Sequence, residues 1–155
     1  MSETRDDIVV LDFLDQIIDF DKLTFDETHA LLTSFIAEKL LSRSSKEALN
    51  LGEEFFEQAE AFVSIAYEFN DIDLNVLNEN RCKAWEIHDQ YEAGSLERNT
   101  MRIIVFALYD KESSEFDEYG AVAIFEAFVS CLLDLGKQYC YLFKDHVLEY
   151  AEKTI

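Results

Sequence analysis

Proline is absent from this chain of 155 residues, and glycine occurs only four times. Helix interiors disfavour both, glycine by about 1 kcal/mol and proline by about 3 kcal/mol relative to alanine. A chain nearly free of both can run in long helices joined by short connections. The apolar pattern agrees. Between residues 44 and 69, Phe55, Ala59, Phe62 and Ala66 recur at helical spacing, and Glu53, Glu57, Glu60 and Glu68 fall on the opposite side.

About seven helices are expected on these grounds. The first covers residues 7–20, with Asp12, Asp15 and Asp19 along one face and Val10, Leu14, Ile17 and Ile18 opposite. The second starts at a capping box, Thr24 to Glu27, and runs to about Leu41. A similar box, Ser44 to Glu47, opens the third, which Gly52 kinks or splits. The fourth spans 75–93, carries the sole tryptophan, Trp85, and is stopped by Gly94 as a left-handed cap. The fifth spans 95–109. Its apolar run at 103–109 places it centrally, and the β-branched residues there leave a strand as the alternative. The sixth and seventh cover 118–135 and 137–152. Short joints predict antiparallel neighbours, hence an all-α class and a compact helical bundle, read as a single acidic domain over residues 1–155. Thirteen Phe and seven Tyr supply its interior. Phe55, Phe62, Trp85, Ile104, Phe106, Phe125, Leu132 and Phe143 are the expected core.

Formal charge is −20, from 33 acids against 13 bases. The first 80 residues hold 19 acids and 5 bases, a net −14, and the remainder a net −6. Such a field repels nucleic acid and anionic membrane and attracts cationic partners. Three cysteines at irregular spacing form no CxxC or Cys/His zinc pattern, and Cys131 and Cys140 read as small core residues. No basic, apolar leader opens the chain and no window is apolar enough for a membrane span, so a cytoplasmic protein is expected.

Few strings in the chain carry chemistry. Glu53-Glu54-Phe-Phe-Glu57 reads EExxE, and Glu68-Phe-Asn-Asp71 reads ExxD. The pair resembles the all-α nucleotide pyrophosphohydrolases of the MazG-like class. The resemblance implies Mg²⁺ held by acids of the two strings, binding a triphosphate and activating water. That class sets the two strings on facing helices, whereas here ten residues and no turn signal separate them, which puts both on one helix. His29, His88-Asp89 and Asp145 follow the residue order of an HD-type phosphohydrolase. Each of the three histidines, His146 included, stands near acids in polar sequence and reads as a surface residue. No P-loop, nucleophile elbow or Glu-x-x-His pair occurs. Arg98 and Arg102, with Arg81 and Lys83, offer a phosphate pocket in one reading and structural pairing with local acids in the other.

The acidic rows remain. Carboxylates three or four residues apart on a helix stand about 5–6 Å apart and repel one another. Asp12, Asp15 and Asp19 form one row; Glu53, Glu57 and Glu60, flanked by Glu54, form another, and neither interleaves lysine. They are the expected contact surface for a basic protein partner, either a toxin or a nucleic-acid-binding protein. On this reading the chain is a non-catalytic immunity (antitoxin-like) protein without cofactor or metal. A DNA mimic, whose carboxylates imitate phosphates, and the Mg²⁺-dependent pyrophosphohydrolase are the alternatives. Self-association into a homodimer stays open.

Overall fold

The computed structural model describes residues 5–68 and 71–154, and for Thr154 the backbone alone. Within them lie eight α-helices and no strand: α1 (Asp6–Ile17), α2 (Phe25–Phe35), α3 (Arg43–Leu49), α4 (Glu53–Tyr67), α5 (Leu74–Asp89), α6 (Leu96–Val105), α7 (Phe116–Leu135) and α8 (Lys137–Thr154). The fold is all-α and compact, as expected.

Local chemistry explains where four of the helices start. At α2 the Thr24 hydroxyl accepts from the Glu27 amide at 3.1 Å, and the Glu27 carboxylate accepts from the Thr24 amide at 3.2 Å. Asp73 and Ser95 cap α5 and α6 by accepting from the amides of Asn75 and Arg98. The cap of α3 is Ser42, not Ser44: the Ser42 hydroxyl reaches the Ser45 amide, which leaves Ser44 inside the first turn.

Helix ends depart further from the sequence pattern. The helix expected over 44–69 is two, and Asn50 makes the break by adopting φ 51°, ψ 45°. Asparagine tolerates this left-handed conformation, and Gly52 merely precedes α4 in extended form. The chain leaves α1 at Ile18, which is extended, and a 3₁₀ turn at Phe20–Lys22 carries the Phe20 ring inward to 5.0 Å from Phe125. Helix α2 widens into a π turn over Ile36–Leu40. Gly120 interrupts α7 with φ 73°, a value open to glycine and strained for other residues.

The run 103–109 is helical, ending in a 3₁₀ turn at Phe106–Leu108. Its chief neighbours are α4, α5 and α7. A strand surrounded by helices would leave its backbone groups without a ladder, so helix is the form that satisfies them. Ile103, Ile104, Val105, Ala107 and Leu108 are buried.

An aromatic cluster joins the remaining layers. Phe143 of α8 lies 5.1 Å from Phe35 of α2, and 5.6 and 5.0 Å from Phe125 and Phe128 of α7. Of the expected core, Phe55, Phe62, Ile104, Phe125, Leu132 and Phe143 are buried; Trp85 and Phe106 are half-buried because they line a cavity. Phe143→Ala is expected to cost about 3–5 kcal/mol, the usual range for a fully buried aromatic. Phe62→Ala should fall toward the lower end of that range. Thermal denaturation of both variants beside wild type measures the difference.

Candidate functional site

All seven acids singled out from the sequence are exposed, but they do not form two intact rows. Asp12 and Asp15 stand on α1. Asp19 lies beyond its end, where its carboxylate caps the 3₁₀ turn by accepting from the Asp21 amide at 3.1 Å and approaches Lys22 Nζ at 3.8 Å. The expected three-acid row thus stops at two, because Phe20 must turn into the core.

On α4 the row is continuous. Glu53 does have a basic neighbour, Lys46 Nζ at 3.3 Å, contrary to the expectation of an unrelieved row. Glu53 and Glu54 also occupy the first turn, where the helix dipole favours negative charge. Glu57 and Glu60 enjoy neither compensation. Among the described residues, the carboxylates of Asp12, Asp15, Glu54, Glu57 and Glu60 take part in no hydrogen bond or ion pair. The principal neighbours of α1 are α7 and α8, and those of α4 are α2, α5 and α6, so the two rows are not carried by one helix pair.

The acids that resemble a pyrophosphohydrolase set do not converge. Glu53, Glu54 and Glu57 project from α4, Glu68 caps its end, and all are exposed with Asp71. Among the described residues, no three Asp, Glu, His or Cys side chains gather closely enough to hold a metal ion. No helix among them is long and apolar enough to cross a membrane.

The three histidines are buried, which corrects their reading as surface residues. His29, His88 and His146 are 4%, 4% and 6% exposed. Their helical phase carried the signal. His29 falls with Phe25, Leu32 and Ile36, His88 with Leu77 and Ala84, and His146 with Phe143 and Tyr139. His29 Nε2 donates to the Ala107 carbonyl at 2.8 Å, tying α2 to the end of α6. His146 Nε2 lies 2.8 Å from the Ser34 hydroxyl. They occupy separate helices and contacts, and no shared site forms.

The bases do not converge either. Arg81 approaches Asp110 at 3.7 Å and lies over the Tyr109 ring at 4.5 Å. Arg98 donates to the Tyr91 carbonyl, and Lys83 is exposed. Arg102 alone faces a cavity of about 350 Å³ between α2, α5, α6 and α7, lined chiefly by aromatic and aliphatic side chains. Sequence reasoning missed this cavity. No family model, curated protein or solved structure matches the chain.

Burial holds the imidazoles of His29 and His146 below the ordinary value of 6.5, outweighing the Ala107 carbonyl at His29 and the Glu38 carboxylate at His146. The unfolded chain therefore binds these protons first as pH falls. The contribution of the neutral imidazoles is complete above 6.5 and is lost as pH drops toward the folded values. Side-chain NMR titration should show both rings protonating below 6.5. His29→Asn, though less stable near neutrality, should lose less stability than wild type on acidification.

Proposed function

We propose that this chain is a non-catalytic acidic binding protein that captures and neutralises a basic protein, in the manner of a cytoplasmic immunity (antitoxin-like) protein acting on a toxin. The observation that carries the reading is the set of exposed carboxylates without cationic partners: Asp12 and Asp15 on α1, and Glu54, Glu57 and Glu60 on α4. Like-charge neighbours at helical spacing each cost some tenths of a kcal/mol in the free protein. A cationic partner removes that repulsion. Thirteen bases cannot neutralise 33 acids within the chain itself, so the compensation must come from outside, as counterions or as a protein.

The α4 row is the stronger half of the surface. It is continuous, and Glu57 and Glu60 lie past the stretch favoured by the helix N-terminus. The loss of Asp19 shortens the α1 row and makes it a steering region. The pyrophosphohydrolase alternative lacks such support, because its acids share one exposed helix and its end.

Capture from a host lysate at about 0.1 M and about 1 M salt tests the proposal, since the Debye length shrinks from about 10 Å to about 3 Å between them. The expected result is one basic protein, retained at low salt and released at high salt. Its toxicity when expressed alone should be relieved by co-expression with this chain. Reversal of Glu54, Glu57 and Glu60 to lysine should slow association about tenfold or more with the fold intact. An unchanged on-rate would remove the α4 row from the function. A captured DNA-binding protein that duplex DNA displaces would assign the carboxylates to phosphate mimicry instead.

Nucleoside triphosphates incubated with the protein and Mg²⁺ should remain intact. Turnover abolished by Glu54→Gln and Glu57→Gln would replace the binding reading with the hydrolase.

A further inference from the structure

In a chain where 33 of 155 residues are acidic, no Asp or Glu among the described residues lines the cavity between α2, α5, α6 and α7. Its walls include Phe25, Leu32, Trp85, Phe106 and Ile124, and Arg102 is the one permanent cation among the described residues that line it. A partly buried guanidinium ordinarily requires an anion, because taking its charge out of water costs several kcal/mol. Among the described residues, Arg102 has no carboxylate within ion-pair distance. Its one hydrogen bond is a long one, 3.4 Å from Nη2 to His88 Nε2. A guanidinium presents five donors, so most of its capacity is unused by the protein.

The contact to His88 positions the guanidinium. His88 Nε2 accepts from Arg102, so the ring hydrogen sits on Nδ1, which donates to Asp89 at 2.9 Å. Trp85 stands edge-on to the His88 ring at 5.0 Å. Asp89 is thus an anion acting through His88: it fixes the imidazole that holds Arg102 without itself reaching the guanidinium. Arg102 is left aimed but not neutralised.

We propose that this cavity binds a small hydrophobic monoanion, an apolar body carrying one carboxylate, with the carboxylate on Arg102 and the body among the aromatic rings. The volume is within the range of small-molecule sites, and an apolar wall with few polar groups is their usual make-up. A cavity of about 150 Å³ takes benzene, so about 350 Å³ suits a body of one ring with a short chain. The protein's net charge of −20 does not forbid an anion here. Charges beyond about 8 Å are largely screened at physiological salt, whereas the guanidinium is in direct contact.

The probes are 4-phenylbutyrate, its neutral amide 4-phenylbutyramide, and acetate as the head group alone. Binding to the 155-residue chain is followed by calorimetry and by the emission of Trp85, its sole tryptophan, which lines the cavity. The acid is expected to bind and to shift that emission. The amide should bind about ten- to a hundredfold more weakly, because a charge-assisted bond is lost, and acetate should bind far more weakly still. Arg102→Gln should bring the acid down to the affinity of the amide; Arg102→Lys should keep a preference for the acid. Ala123→Phe, which fills the cavity, should abolish binding of both.

Equal affinity of wild type for acid and amide overturns the proposal without any variant. So does an acid that leaves Trp85 emission unchanged, or an Arg102→Gln protein that retains the wild-type preference. Because long-range repulsion opposes an anion, added salt should not weaken binding here, in contrast to the salt-released capture of a basic protein. The two readings can therefore fail separately.

Discussion

Phe143 fastens the bundle. Its ring meets Phe35 of α2 and both Phe125 and Phe128 of α7, and so α2 and the consecutive helices α7 and α8 converge on one side chain. Buried aromatic pairs combine large apolar area with a preferred edge-to-face geometry, which fixes relative orientation as well as proximity. Two further rings extend the cluster. Phe106 meets Phe128 at 5.5 Å and ties in the end of α6, and Phe20 meets Phe125 and draws the segment after α1 inward. A chain with net charge −20 has a strong self-repulsion to overcome, and this apolar centre opposes it.

The same cluster shapes both candidate surfaces. Drawing Phe20 inward ends α1 early and takes Asp19 off the acidic row. Holding Phe106 against Phe128 makes that ring part of the cavity wall, four residues after Arg102 in the 3₁₀ turn that follows α6. Charge is sorted accordingly. The uncompensated carboxylates stand outside on α1 and α4, and an uncompensated guanidinium stands inside. On the two proposals the outer set meets a cationic macromolecule and the inner one a small anion, at separate places on the fold.

Buried histidine serves the fold in three places with three different partners: a backbone carbonyl at His29, a carboxylate and a guanidinium at His88, and a hydroxyl at His146. Each ring fills space that an apolar residue could fill, yet also fastens one helix to another or orients a neighbour. In a chain so rich in carboxylates, an imidazole supplies polar specificity in the interior without adding a buried negative charge.

The all-helical class, the starts of α2 and α6 and the core face of α4 were legible in the sequence alone. They rest on short-range physics: the rejection of proline and glycine by helix interiors, caps that reach three residues, and apolar residues recurring every 3.6. The exposure of the seven acids was legible too, since a carboxylate stays in water unless something pairs with it. The tertiary structure decided the rest. Asp19 left its row because Phe20 had a distant ring to reach. His29 and His88 lie in phase with the apolar residues of their helices, but that they meet the Ala107 carbonyl and the Arg102 guanidinium was decided by packing. Trp85 and Phe106 became cavity walls, not core, and Arg102 came to face that cavity without an acid. Pairing, burial and empty volume depend on which helices meet, and those meetings join residues as far apart as Phe35 and Phe143, beyond the reach of any local pattern.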